Sequence, residues 1–236
     1  MSTANYLLSC YIFLGTSFGA LVALFLYKFA RIKVQHLYLL CGGVLVGLIM
    51  LELVPHSVTE FGLISIVLGT SLGILLCICL HNFFDQLPSF RYRSVVFLVT
   101  AITVHNIPTG LAIGSTLDNQ LLSSSFVTAI LLHQVPEGLA IMVSLLNSRR
   151  QQFNFSLFLS ICLILSGFFL LFSIMGSFLD LTLKLNGLIL GISIGFLSFT
   201  AVWEFIIATY KKVHFFASFF LLLLGIGIIY LFSHHI

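Results

Sequence analysis

Apolar residues in this chain occur in long runs, without the strict alternation or the single apolar face of soluble elements. A transmembrane helix needs about 20 mostly apolar residues, and eight runs of that order are present. They cover residues 5 to 28, 35 to 55, 62 to 80, 93 to 116, 123 to 146, 155 to 179, 186 to 209 and 214 to 233. We therefore predict an all-α integral membrane protein, with eight transmembrane helices in a single domain over residues 1 to 236.

Composition agrees, since 60% of residues are hydrophobic and 7% are charged, against about a quarter charged in soluble proteins. Lysine and arginine favour cytoplasmic loops, and eight spans make the connections alternate sides. Nine of the ten basic residues fall on one side: Lys28, Arg31, Lys33, Arg91, Arg93, Arg149, Arg150, Lys211 and Lys212. Both termini are predicted to face away from the cytosol, and we expect a multi-pass protein of the cell membrane, plasma or inner. The net charge of +3 follows from this bias and indicates no nucleic-acid partner.

Three acidic residues lie within the apolar runs, namely Glu52, Glu137 and Glu204. An acidic residue at the centre of a transmembrane helix costs about 2.5 to 3.5 kcal/mol on insertion scales. A chain this apolar keeps such residues for a partner or for a pathway.

Polar residues in the fourth and fifth runs converge on one depth. Glu137 is twelve residues before Arg149, and His105 is twelve residues after Arg93, so at about 1.5 Å per residue both lie near the middle of the bilayer. His133 precedes Glu137 by four residues and shares its helix face. The residues predicted to meet there are His105, Asn106, Thr109, His133, Gln134 and Glu137.

The two runs are also copies of one another. VTAITVHNIPTGLAI (99 to 113) and VTAILLHQVPEGLAI (127 to 141) are identical at ten of fifteen positions. Because consecutive spans are antiparallel, an axis in the membrane plane relates the copies, an arrangement that places substrate sites at mid-membrane between broken helices. Pro108 and Pro136 each remove a backbone donor, and their neighbouring glycines allow close helix approach.

A weaker similarity links the second and seventh spans, where GVLVGLIMLEL (43 to 53) and GFLSFTAVWEF (195 to 205) place a glutamate nine residues after a glycine. Glu52, with His56 just beyond it, is expected near the outer end of its span. Glu204 is expected near the cytoplasmic end, with His81 as a further candidate there. These positions suit the points at which a cation enters and leaves.

Two imidazoles and a carboxylate are typical ligands of Zn²⁺. Imidazole also binds Fe, Ni and Cu, so the ligand types do not fix the metal. We expect Zn²⁺ to be the bound and transported ion, with Fe²⁺ and Mn²⁺ as further substrates, and no resident cofactor.

The paired motifs, HNIPTG at 105 to 110 and HQVPEG at 133 to 138, resemble those of the ZIP (Zrt-, Irt-like protein) family of divalent metal transporters. The resemblance implies two inverted three-helix repeats around a central helix pair, a 3+2+3 arrangement, with metal passing between spans four and five, in a homodimer. It places His105, Asn106, His133, Gln134 and Glu137 on metal-site positions.

The sequence departs from that family's pattern at two motif positions. Thr109 stands where a glutamate is frequent, and Gln134 stands where Asn or Asp is frequent. The sixth span has no acidic residue to support a second ion. We therefore predict one principal metal site.

The function predicted from these features is transport of divalent metal, zinc foremost, toward the cytosol, and no enzymatic activity. Two alternatives remain open at this point. One is an intramembrane zinc hydrolase, although no HExxH motif is present and Glu137 would serve as both ligand and base. The other is a metal-binding sensor or partner subunit with little transport, suggested by the absence of a carboxylate at Thr109.

Overall fold

The computed structural model describes the backbone of residues 3–86, 93–116, 124–147 and 155–233, and the side chains there except those of residues 4, 116, 124–133 and 233. Within these ranges the chain is helical and forms no strand. The eight helices are α1 (Thr3–Lys28), α2 (Val34–Phe61), α3 (Leu63–Gln86), α4 (Arg93–Thr116), α5 (Ser124–Asn147), α6 (Phe155–Gly176), α7 (Leu183–Tyr210) and α8 (Phe215–Ser233).

The predicted all-α class is confirmed. Seven of these helices, all except α5, are long and apolar enough to cross a membrane within the described residues. Helix α5 has 24 residues and follows the predicted fifth run closely, but side chains of its first half lie outside the described part of the chain.

Some helix ends differ from the ranges predicted by the apolar runs. Helix α2 continues six residues past 55, through Pro55, to Phe61. It ends at Gly62, whose φ of +85° favours glycine. Helix α3 extends to Gln86 rather than 80, and α6 ends at Gly176 rather than 179.

The two proline-containing helices are not broken, contrary to the expectation from the repeat. Both α4 and α5 continue as α-helix through Pro108 and Pro136. A proline removes one hydrogen bond, but its φ of about −65° remains helical. The carbonyl of Pro136 itself accepts a hydrogen bond from the Cys41 thiol of α2, at 3.8 Å.

The irregular turns occur in α2 and α7. Each widens into a π-helical segment, Ile49–Leu53 in α2 and Thr200–Ile207 in α7. Glu52 lies in the first segment and Glu204 in the second. A π turn leaves backbone groups without their regular partners and is frequent at functional sites. The weak sequence similarity between the second and seventh spans therefore corresponds to a shared backbone feature.

Close helix packing depends on glycines, and it joins α1 to α5 and α4 to α6. A Cβ at Gly138 of α5 would overlap the Thr16 carbonyl of α1, and one at Gly114 of α4 would overlap the Ser173 carbonyl of α6. Such direct backbone contact is typical of membrane helix pairs. We refer to α1, α4, α5 and α6, which include both motif helices, as the motif group.

The same kind of packing joins α3 to α7 and α2 to α8. A Cβ at Gly73 of α3 would overlap the Ile192 carbonyl of α7, and one at Gly43 of α2 would overlap the Leu222 carbonyl of α8. We refer to α2, α3, α7 and α8 as the glutamate group, since they carry Glu52 and Glu204. Each described glycine that closely contacts another helix contacts a helix of its own group.

The pairing is consistent with an inverted repeat of three helices around a central pair. If α1 to α3 correspond to α6 to α8, and α4 corresponds to α5, then the α1–α5 pair matches the α6–α4 pair. The α2–α8 pair likewise matches the α7–α3 pair, and both π segments fall on equivalent helices. Between the groups, contact occurs chiefly where α4 meets α7 and where α2 meets α5.

Replacement of Gly73 by alanine tests the glycine packing. Gly73→Ala is expected to lower the melting temperature of the detergent-purified protein by roughly 5 °C, because the new methyl group has no space against α7. The control is Gly167→Ala on α6, where no atom lies within 4 Å of the added methyl group. That change should leave stability equal or higher, since alanine favours helix. Equal melting of the two variants would contradict the packing described.

Candidate metal site

His105 and Asn106 are buried in the middle of α4, with exposed fractions of 4% and 0%. Glu137 of α5 is 1% exposed. The Nε2 atom of His105 lies 3.2 Å from Oε1 of Glu137. The predicted approach of these two motif residues is therefore present in the structure.

The Glu137 carboxylate has little other stabilisation. Among the described residues, neither of its oxygens accepts a hydrogen bond, so the His105 contact is close enough for an ion pair but is not directed as a hydrogen bond. Both polar side-chain atoms of Asn106 also lack a described hydrogen-bond partner. Buried polar groups are normally paired, and these atoms together can offer ligands to a cation.

The other motif residues contact protein groups in this conformation. Thr109 donates to the His105 carbonyl at 3.1 Å and lies 2.9 Å from the Ser193 hydroxyl. Gln134 is 5% exposed, and its Oε1 accepts from Thr16 of α1 at 3.3 Å. Their predicted role as metal ligands stays a prediction.

His133 lies on α5, but its side chain is outside the described residues. The described side chains contain no group of three or more His, Cys, Asp or Glu residues arranged to hold a metal ion. The part of the site that can be described is therefore the His105–Glu137 pair together with Asn106.

Ser193 of α7 was not predicted from the sequence. It is 1% exposed, and its backbone carbonyl and hydroxyl lie 3.0 and 2.6 Å from His105 Nδ1. The same hydroxyl donates to the His105 carbonyl at 3.0 Å. A serine in an apolar span gives no sequence signal, because serine is common at helix contacts in membranes.

A second polar cluster joins α3, α4 and α7. His81 Nε2 lies 3.5 Å from Glu204 Oε1, and His81 Nδ1 lies 3.3 Å from Asp85, which pairs with Arg93. The rings of Phe97, Phe199 and Trp203 surround His81 at 5.3 to 6.0 Å. The structure thus brings together the predicted pair His81 and Glu204.

The remaining predicted pair is more exposed. Glu52 is partly buried, and His56 contacts Glu60 at 3.3 Å, with side-chain exposures of 80% and 48%. This contact lies one turn beyond Glu52 on α2.

The fold and site define a multi-pass helical membrane protein with buried histidine and carboxylate groups. The family model described as ZIP zinc transporter matches residues 85–233, which is more than half of the chain. The chain belongs to the ZIP family of divalent metal transporters. Among curated proteins, no match was found.

Membership confirms the resemblance inferred from the motifs and establishes divalent metal transport as the general function. The family consists of transporters and not enzymes, so the hydrolase alternative is set aside. The chain is accordingly an integral membrane protein with metal ion as its substrate.

Glu137→Gln tests whether the buried carboxylate is kept for ligand binding at the expense of stability. A neutral amide is less costly to bury than a carboxylate, so the metal-free variant is expected to melt roughly 2 to 4 °C higher than the original protein. Added zinc should raise the melting temperature of the original protein and not that of the variant. Glu60→Gln, at an exposed carboxylate, should change neither the melting temperature of the metal-free protein nor its rise with zinc. A zinc-dependent shift retained in Glu137→Gln would contradict this role.

Proposed function

We propose that this protein transports Zn²⁺ toward the cytosol through a site between α4 and α5, near the middle of the membrane. The observation that supports it is the 3.2 Å approach of His105 Nε2 to a Glu137 carboxylate that lacks described hydrogen bonds. Tetrahedral zinc, with ligands at about 2.0 to 2.2 Å, has its ligand atoms roughly 3.4 Å apart. The pair therefore needs little movement to hold the ion.

The ligand set favours one principal ion. His105 and Glu137 supply one nitrogen and one carboxylate, and Asn106 supplies an amide with unpaired polar atoms. His133, Gln134 and Thr109 are proposed to complete or flank the coordination sphere. Because Thr109 replaces a carboxylate and its hydroxyl is held by Ser193, a second bridged ion has little support. Fe²⁺ and Mn²⁺ are proposed as weaker substrates.

The path of the ion is proposed from the two outlying glutamates. The ion first meets Glu52 and His56, then binds at the central pair, and leaves past Glu204 and His81. Both glutamates lie in π-helical segments, which leave backbone carbonyls free to replace water. Glu204 and Asp85 both contact His81, and Asp85 pairs with Arg93, which supports a last step beside the basic connections predicted to face the cytosol.

Alternating access is proposed to arise from movement of the motif group against the glutamate group. Close backbone contacts hold each group together, and the described glycines make none between the groups. Side-chain contacts between α4 and α7 are easier to exchange than backbone contacts of that kind. Rigid-body movement around a central site is the general pattern in transporters with inverted repeats.

The orientation, membrane and oligomeric state are also proposals. The distribution of lysine and arginine supports both termini outside the cytosol, in the cell membrane. A homodimer follows from the family resemblance alone. Labelling of single cysteines in intact cells would test the orientation of the termini in the cell membrane. Native mass spectrometry in detergent would test the oligomeric state.

Zinc influx into proteoliposomes tests the central claim. The purified protein is expected to give saturable influx, and both His105→Ala and Glu137→Ala should lower it at least about 100-fold, since each loses a direct ligand. Asp180→Asn serves as the control, because this carboxylate is exposed in the connection between α6 and α7, outside the proposed path. Zinc binding without influx in the original protein would instead support the sensor or partner-subunit alternative.

Glu204→Gln separates the proposed exit from the central site. If Glu204 receives the ion after the central site releases it, its loss should lower the maximal rate of influx about 10-fold while zinc affinity is retained. Asp85→Asn is a matched control, because this carboxylate contacts His81 but faces Arg93 at the surface. A Glu204→Gln variant with weakened zinc binding and normal maximal rate would contradict the assignment.

A further inference from the structure

One serine links the two helix groups at the proposed site. Ser193 belongs to α7 of the glutamate group, whereas His105 and Thr109 belong to α4 of the motif group. Ser193 contacts the His105 ring, the His105 carbonyl and the Thr109 hydroxyl, at 2.6 to 3.0 Å.

These contacts favour hydrogen on Nδ1 of the His105 ring. The Ser193 carbonyl can only accept a hydrogen bond, so the Nδ1 atom 3.0 Å away is expected to carry a hydrogen. In a neutral imidazole the other nitrogen then has the free lone pair. Nε2 is the atom that faces Glu137. The serine thus directs the metal-binding nitrogen toward the carboxylate.

The Ser193 hydroxyl contacts three groups in the same arrangement. It donates to the His105 carbonyl at 3.0 Å, lies 2.6 Å from Nδ1, from which it can accept, and lies 2.9 Å from the Thr109 hydroxyl. Partners of this kind that orient a ligand histidine commonly change metal affinity about 10- to 100-fold when removed. Here the partner, Ser193, lies in the opposite helix group from His105. Thr16, by contrast, bonds Gln134 from within the motif group.

We propose that Ser193 is a positioning residue for zinc, which orients His105 only while the two helix groups are apposed as in this structure. The inference rests on the proposed function. Movement of the motif group must break the His105–Ser193 contacts, and His105 then loses its fixed orientation. High affinity is thereby confined to one conformation, and the ion is bound more weakly after the movement.

Kinetics distinguish positioning from a general structural role. The Ser193 contacts stabilise the zinc-bound state and must break during transport, so their loss should raise KM without lowering the maximal rate. Ser193→Ala is expected to raise KM for zinc influx about 10-fold. Ser173→Ala is the matched control, since this serine is 0% exposed and its hydroxyl bonds Asn5 within the motif group.

The imidazole ¹⁵N spectrum of the metal-free protein gives a readout independent of zinc. The His105 signals, identified by their loss in His105→Ala, are expected to show hydrogen on Nδ1 in the original protein. The Nδ1 signal should shift in Ser193→Ala, which loses the hydroxyl 2.6 Å from Nδ1 but keeps the backbone carbonyl, and it should not change in Ser173→Ala. Absence of hydrogen from Nδ1 in the original protein, or identical His105 signals in Ser193→Ala, would overturn the inference.

Zinc binding to the purified variants completes the test. About 10-fold weaker binding in Ser193→Ala than in Ser173→Ala supports positioning. Equal affinity, or a lower maximal rate at unchanged KM, overturns it and leaves the proposed transport function intact. Absence of both zinc binding and influx in the original protein would overturn the proposed function itself, and the positioning of a zinc ligand with it.

Discussion

A carboxylate in apolar surroundings is the constraint on which the candidate site depends. Glu137 is buried, and its oxygens lack described hydrogen bonds apart from the close approach of the His105 ring. A buried carboxylate is unfavourable unless a cation or donors stabilise it. Such a group weakens the fold of a metal-free transporter, and the same group makes the site attractive to a divalent ion.

The packing of the helices supports the proposed movement of one helix group against the other. Glycines allow backbones to touch inside the motif group and inside the glutamate group, so each is expected to move as a unit. His105 and Glu137 are both in the motif group and would remain together in the proposed movement. Ser193 belongs to the other group, so under the proposed mechanism its contacts link metal affinity to conformation.

The departures from the family pattern have a structural counterpart. Thr109 does not simply leave a gap where a carboxylate is frequent, because its hydroxyl bonds the His105 carbonyl and Ser193. A glutamate at this position would place a second charge beside Ser193 and compete for the same hydroxyl. The exchange of carboxylate for hydroxyl therefore accompanies a cross-group hydrogen-bond network centred on the histidine.

The sequence alone was sufficient for the class of fold, the family and the central pair. Long apolar runs require helices in a membrane, since every backbone group must be paired there. The equal spacing of His105 from Arg93 and of Glu137 from Arg149 predicted one depth for both residues, because helical rise per residue is constant. The fourth helix begins and ends where its run predicted, at Arg93 and Thr116.

Only the tertiary structure showed that Ser193, 88 residues from His105 in the chain, completes the surroundings of that ring. It also showed that the backbone widens at Glu52 and Glu204 and not at Pro108 and Pro136. These features depend on which helices contact each other. They also depend on where neighbouring polar groups can form hydrogen bonds with backbone groups that lack their regular helical partners. Apolar periodicity does not record either, because a residue facing lipid and a residue facing another helix are equally apolar in a membrane.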